Sequence, residues 1–134
     1  MLYRKVLLAK TKRGPSSVDL TQAIKDVVKE SGIEQGLCHV YLKATTAGLA
    51  INERDLLLLK DMERFFSKLV PEDRLYAHPE NAFSHIRASL LKQSLVIPVE
   101  KGELVLGTWQ SILLFEFDVH GREREVVVTV IGSD

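Results

Sequence analysis

The sequence holds a single cysteine, Cys38, among 134 residues. One thiol excludes an intrachain disulfide and a cysteine-rich zinc site. A charge bias is missing too, since eighteen basic residues are matched by eighteen acidic ones. That argues against a broad nucleic-acid or anionic-membrane surface and leaves room for a local basic pocket. Near-zero charge also leaves self-association unopposed by electrostatics. No apolar run approaches the roughly 20 residues that a membrane-spanning helix needs. The segment Met1–Lys10 carries Arg4 and Lys5 within its apolar stretch, unlike the unbroken core of a signal peptide. The expectation is a cytoplasmic protein with neither nucleic acid nor membrane as partner. Internal repeats, low-complexity tracts, a P-loop and a dinucleotide fingerprint are all absent.

What is present is ordinary for a globular chain: 46% hydrophobic and 27% charged residues, enough for one domain over residues 1–134 with a real core. Residues 2–11 read as a strand, followed by a basic, turn-rich loop at 12–17. Asp19 or Thr21 can cap a helix to Ser31, with Leu20, Ala23, Ile24, Val27 and Val28 at helical spacing and Gly32 as the stop. A strand over Leu37 to Lys43 places Cys38, Val40 and Leu42 on one face and His39, Tyr41 and Lys43 on the other. Cys38 therefore reads as packing rather than as a reactive thiol.

Residues 44–53 are small and hydroxyl-bearing. They read either as a strand with close backbone approach at Gly48 or as an anion platform with Thr45 and Thr46 as donors. An amphipathic core helix follows over 54–69. From Ser94 the pattern turns to strands at 95–99, 104–106, 111–118 and 123–131, an antiparallel meander after a mixed first half. The fold class is α+β, a mostly antiparallel sheet or sandwich with about three helices.

The chemistry-capable stretch is His78-Pro79-Glu80-Asn81-Ala82-Phe83-Ser84-His85. Pro79 suits a first helical position, and Asn81 and His85 are one turn apart. On a helix reaching Leu91, Phe83, Ile86, Leu90 and Leu91 form the core arc, with His78, Asn81, His85 and Ala88 opposite. Arg87 falls within the apolar arc, either snorkelling along its edge or aimed at an anion. A capped surface helix with two titratable histidines is the plain alternative to a site.

Several stretches, in order, carry a resemblance. They are Glu30-Ser31-Gly32-Ile33 with Gly36, Thr45-Thr46-Ala47-Gly48-Leu49 with Ile51-Asn52-Glu53, and His78…Asn81…His85. Ser94-Leu95…Ile97-Pro98-Val99…Gly102, Gly107-Thr108-Trp109-Gln110 and Glu116-Phe117-Asp118 complete them. Together they resemble the YjbQ-like proteins, an uncharacterised family also labelled secondary thiamine-phosphate synthase. The resemblance implies a homotrimeric α+β domain with a polar pocket built by the Thr-Thr segment and the Asn…His helix. It also implies a weak condensation of a pyrimidine pyrophosphate with a thiazole phosphate.

On that resemblance His85, Asn81 and Glu53 are the catalytic candidates. Thr45, Thr46, Asn52, Thr108, Gln110 and Arg122 are the candidates for holding a small phosphorylated ligand. His78 and His85 are candidate ligands for a divalent metal, zinc or magnesium. Trp109 is expected in the core, with a substrate wall as the alternative, and Glu116 is either solvated or part of the site. The chain departs from the family pattern at Ala44, where a histidine usually precedes the Thr-Thr pair. It departs again at Val119-His120-Gly121-Arg122, where Arg122 aligns with the family arginine. A metal held by two imidazoles needs further ligands, which Glu53 or water would supply. The alternative function is a non-catalytic oligomer that binds an anion, small molecule or metal.

Overall fold

A computed structural model describes all 134 residues. In chain order the elements are β1 (Leu2–Lys10), β2 (Ser16–Asp19), α1 (Thr21–Ser31), β3 (Gln35–Leu42), β4 (Ala47–Asn52), α2 (Leu56–Leu69), α3 (Ala82–Ser89), β5 (Ser94–Glu100), β6 (Glu103–Leu104), β7 (Ser111–Glu116) and β8 (Glu123–Ser133). The strands form a five-stranded sheet in the order β1-β8-β3-β5-β6 and a three-stranded sheet in the order β2-β7-β4. Every pairing is antiparallel.

Alternation along the strands decides where the core lies. Val126, Val128 and Val130 of β8 and Cys38, Val40 and Leu42 of β3 point inward, where they meet Leu49, Ile112 and Leu114 of the smaller sheet. Helix α1 closes this layer with Ile24, Val27 and Val28, all fully buried. Removing the side chain of a residue such as Leu114 here costs about 2–5 kcal/mol. The other face of the smaller sheet carries Leu113, Phe115 and Phe117, covered by Leu59 of α2 and Ala88 of α3. The result is a layer of helices, a small sheet and a large sheet. The outer face of the large sheet is left uncovered, and Leu2, Val6, Leu8, Leu37, Tyr41, Val96 and Ile131 stand exposed on it.

The α+β class, three helices and antiparallel sheets agree with the sequence reading. Gly48 lies so close to the segment that follows α3 that an added Cβ would sit 2.7 Å from the Leu91 side chain, as the close-approach reading requires. Several details differ. The predicted meander does not form, because β7 joins the small sheet and β8 inserts between β1 and β3 of the large one. The loop at 12–17 yields β2, paired with β7 from Ser16 opposite Glu116 to Asp19 opposite Leu113. Leu20 occupies the α1 cap position, while Asp19 accepts the Thr21 amide at 3.0 Å. The second late strand, expected over 104–106, shortens to Glu103–Leu104. Helix α2 begins at Leu56 with Asp55 accepting the Leu57 and Leu58 amides. It is less of a core helix than expected: only Leu59 is buried, while Leu57 is 74% exposed and Leu56, Phe65 and Leu69 also face outward.

Helix α3 is the largest departure. It starts at Ala82, after a non-helical Asn81, so Pro79 lies outside it, and it ends at Ser89. The Asn81 backbone carbonyl still accepts the Ser84 and His85 amides, at 3.0 and 3.4 Å. The buried face is Ala82, Phe83, Ser84, Arg87 and Ala88, while Ile86 and Leu90 are exposed. The shift in start turns the helix, and Arg87 decides its orientation. Its guanidinium is fully buried, donates through Nε and Nη2 to the Val70 carbonyl at 3.0 and 2.8 Å, and lies 4.9 Å above the Phe83 ring. Arg87 thus ties α3 to the end of α2, and its Nη1 lies 4.0 Å from the Glu72 carboxylate.

Candidate functional site

Glu116 occupies an inward position of β7 and Arg124 an inward position of β8, so the two side chains meet between the sheets at one end of the sandwich. The pair is buried, with Arg124 Nη2 2.5 Å from Glu116 Oε2 and Arg124 Nε 2.8 Å from Oε1. Thr11 donates its hydroxyl to Glu116 Oε1 at 2.7 Å. Glu116 is therefore no solvated strand residue: it is a buried anion whose acceptor sites are filled, as burial of a charge demands.

Asp118 lies two residues on, where the chain leaves β7. Its carboxylate accepts from the Val119 amide at 2.8 Å, Asn81 Nδ2 at 3.2 Å, Thr46 Oγ1 at 3.1 Å and Arg122 Nη2 at 2.6 Å. Burial pushes its pKa up, but the Val119 amide, Asn81, the Arg122 charge and Thr46 outweigh that and hold the carboxyl below its usual range. The Thr46 hydroxyl in turn accepts from Arg124 Nη2 at 2.7 Å. One hydroxyl thereby joins the Glu116–Arg124 pair to the Asp118–Arg122 pair.

Asn81 extends the network to His78. Because its amide nitrogen faces a carboxylate, its oxygen faces His78 Nε2 at 3.0 Å, and that nitrogen must carry the proton. Asn81 therefore fixes the tautomer of His78 rather than that of His85. The His78 and His85 rings lie edge to face, with centroids 5.4 Å apart.

A groove of about 880 Å³ opens over this network, lined by Thr45, Thr46, Asn81, His85, Asp118 and Arg122 at one end. It continues onto the outer face of the large sheet, past Lys43 and Tyr41 to Arg4, His39 and Thr129. Four cationic side chains and one carboxylate, Asp118, line it. Arg124 and Arg122 are paired with carboxylates inside the network, and Lys43 meets Glu125 at 2.9 Å. Arg4 has no acidic partner and donates its Nε to Thr129 at 2.8 Å. His39 shares a 2.6 Å hydrogen bond with Ser94.

Of the residues singled out from the sequence, Thr45, Thr46, Asn81, His85 and Arg122 line the groove together. His78 stands behind Asn81. Glu53, Asn52, Thr108 and Gln110 do not line the groove of this chain: Asn52 accepts the Glu53 amide at 2.8 Å, and Gln110 accepts the Gly107 amide at 2.8 Å. Trp109, expected in the core, is 72% exposed, because Gly107–Gln110 folds as a tight turn on the surface. No group of three or more His, Cys, Asp or Glu side chains is placed to hold a metal ion. The donor set on offer is His78 and His85, with Asp118 saturated and Ala44 carrying no donor, and it does not fit a resident metal.

Sequence reasoning missed Asp118, Arg124, Thr11, Arg4, His39 and Lys43. A signal was there for the first two: Glu116 and Asp118, then Arg122 and Arg124, place two acids and two bases at alternate positions around one corner.

The family model described as "UPF0047 protein YjbQ-like" matches residues 5–133. The chain belongs to the YjbQ-like family. A UPF0047 protein of Methanothermobacter thermautotrophicus is 38% identical, over 98% of this chain and 94% of that one. The UPF0047 protein YjbQ of Escherichia coli O157:H7 is 36% identical, over 99% and 100%. A solved YbjQ-like protein of unknown function from Sulfolobus solfataricus superposes with a TM-score of 0.95 at 32% identity, covering 99% of each chain. A member of the yjbq/upf0047 family from Clostridium acetobutylicum gives 0.87 at 39% identity, covering 96% of this chain and 99% of its own. The YjbQ-like fold is therefore shared along the whole chain. No helix in it is long and apolar enough to cross a membrane.

Proposed function

We propose that the groove binds a small phosphorylated ligand. The observation that carries this reading is the lining: Arg4, Lys43, Arg122 and Arg124 border the groove, and Arg4 among them has no acidic partner. Arg4, free of any acidic partner, supplies an uncommitted guanidinium, and planar guanidinium groups match phosphate geometry. Thr45 adds a hydroxyl donor. Asp118 holds Arg122, Thr46 and Asn81 in place instead of meeting the anion.

The finer proposal is transfer of the thiamine-phosphate synthase type. The thiazole nitrogen forms a bond to the pyrimidine methylene carbon as the carbon–oxygen bond to pyrophosphate breaks. Pyrophosphate leaves with the electron pair, and Arg4 and Arg122 stabilise its charge. His85 is the candidate proton carrier, since its ring is otherwise unengaged. A resident zinc or magnesium has no part in this reading, because the donor set is too small. Purified protein supplied with both substrates tests it: thiamine phosphate formation and rescue of a thiamine auxotroph support transfer, and the absence of both overturns it. Inorganic phosphate and pyrophosphate titrations test the groove independently.

A second reading is specific enough to keep. Ala44 lines the groove, at the position where the family resemblance implies a histidine, which favours a binder without turnover. Tight anion binding with no product, and activity or metal binding restored by Ala44→His, would support it.

We also propose a cytoplasmic homotrimer. Leu2, Ile131, Leu37 and Pro98 lie in one register row across four strands of the uncovered sheet, an apolar surface of the kind that marks an interface. Light scattering should give three times the 15.1 kDa chain mass, and a monomer would overturn the trimer.

A further inference from the structure

Three side chains at the far end of the groove take no part in the anion reading: His39, Tyr41 and Ser94. Alternate residues of a strand share a face, so His39 and Tyr41 stand on the outer side of β3, opposite Cys38 and Val40. Ser94 of β5 pairs directly with Tyr41 across the ladder and stands on the same side. Its Oγ lies 2.6 Å from His39 Nε2 and has no other partner. A hydroxyl against an imidazole nitrogen at that distance is the nucleophile–base relation of covalent catalysis. With the ring proton on Nδ1, Nε2 accepts the Ser94 proton. Tyr41 supports the imidazole, with the two rings 21° from parallel and 6.2 Å between centroids. The hydroxyls of Tyr3 and Tyr76 are engaged by Glu30 and by the Pro71 carbonyl, whereas that of Tyr41 is free to donate. Ser94 and Tyr41 are both exposed, so a small molecule in the groove reaches them.

We propose that Ser94 is a nucleophile with His39 as its general base, an esterase-type centre that goes beyond the anion reading and does not need phosphate to bind. Its substrate class is a small carboxylic ester whose acyl chain ends in a second anionic group. Ser94 Oγ bonds to the ester carbonyl carbon as its proton passes to His39 Nε2. The carbonyl π pair moves onto oxygen, where the Tyr41 hydroxyl donates. The carbonyl then re-forms and the bond to the alcohol oxygen breaks. The alcohol leaves with that electron pair and the proton from His39. Water, losing its proton to His39, attacks the acyl-serine in the same way, and the acid departs as Ser94 regains its proton. The anionic end follows from Arg4, which has no acidic partner and whose Nε stays with Thr129 of β8. Strand β8 stands two spacings from β5, about 10 Å, so the guanidinium meets the far end of a substrate and not the reacting carbonyl.

The test uses the full chain with para-nitrophenyl acetate and mono-para-nitrophenyl glutarate, whose free carboxylate suits Arg4. Both esters should turn over, and kcat/KM should favour the glutarate about tenfold, the worth of a hydrogen bond to a charged group. Arg4→Gln should erase that preference. Ser94→Ala and His39→Gln should each lower the rate about a hundredfold or more, and circular dichroism checks that they fold. Phenylmethylsulfonyl fluoride should stop turnover and add its mass to the peptide carrying Ser94. Turnover that survives Ser94→Ala would assign the hydrolysis to an imidazole acting alone and overturn the proposal. So would wild-type protein inert toward both esters, or a reagent mass found only on other residues. An unchanged preference in Arg4→Gln overturns the substrate class. None of these outcomes depends on the phosphate titrations, so the two readings of the groove fail separately.

Discussion

Thr46 donates its hydroxyl to Asp118 at 3.1 Å while accepting from Arg124 at 2.7 Å. Both of its roles are filled, and both partners are buried charges. Thr46 is thus the joint between the inter-sheet ion pair and the groove.

Thr46→Val keeps the shape and removes the hydroxyl. Asp118 and Arg124 each lose a buried partner, at an expected cost of about 1–3 kcal/mol, the penalty of an unsatisfied buried polar group. Urea unfolding should show the lower midpoint. Thr46→Ser should recover most of the loss, because the hydroxyl is the part that matters. A Val variant as stable as wild type would show that the bridge contributes nothing.

The depressed pKa of Asp118 gives a signed pH prediction. A carboxyl whose folded-state pKa lies below its unfolded value adds stability that is present above the unfolded value and lost as pH falls through the folded one. Wild-type stability should therefore decline below about pH 4, the ordinary carboxylate range, as Asp118 releases Arg122 and Asn81. Asp118→Asn cannot titrate and should decline less steeply across that window. Parallel slopes in urea titrations of the two proteins would contradict the assignment.

The Glu116–Arg124 pair is expected to be costly to break and cheap to replace. Arg124→Ala leaves a buried, uncompensated carboxylate, and a loss of about 3–5 kcal/mol should follow. The double change Glu116→Leu with Arg124→Met removes both charges and should recover much of that loss. If the single and double variants are equally destabilised, the penalty lies in lost packing and not in the orphaned charge.

Cys38 is fully buried, and burial pushes its thiol up to about 11. Thiol-modifying reagents at mildly alkaline pH should leave the native protein unmodified and label it only on unfolding. Rapid native labelling would mean that β3 opens far more often than a central strand should.

Asp118 shows why the site was only partly legible. Its type and its place after a strand were plain in the sequence, yet its four donors come from residues 46, 81, 119 and 122. Nothing local announces such a convergence. Arg4 and His39 are harder still, since they reach the groove only because β1 and β3 flank β8, which aligns both with Thr129. Trp109, Thr108 and Gln110 form a conspicuous motif, but the turn that carries them does not line the groove of this chain.

By itself the sequence determined the local and periodic features. The alternation of β3 and β8, the apolar stripe of α1 and the stop at Gly32 follow from backbone geometry and side-chain burial within a few residues. The Thr-Thr segment and the Asn…His stretch were likewise visible as chemistry. The tertiary structure alone decided how β7 and β8 divide between two sheets and where α3 begins. Burying the Arg87 guanidinium, which donates to the Val70 carbonyl, and drawing Asn81 to Asp118 outweigh the helix-start preference of Pro79. The same long-range pairing brought Asn81 and His85 to one end of the cationic groove, with His78 hydrogen-bonded to Asn81. Propensity acts over one turn of chain, whereas satisfying buried charges recruits partners from anywhere in it.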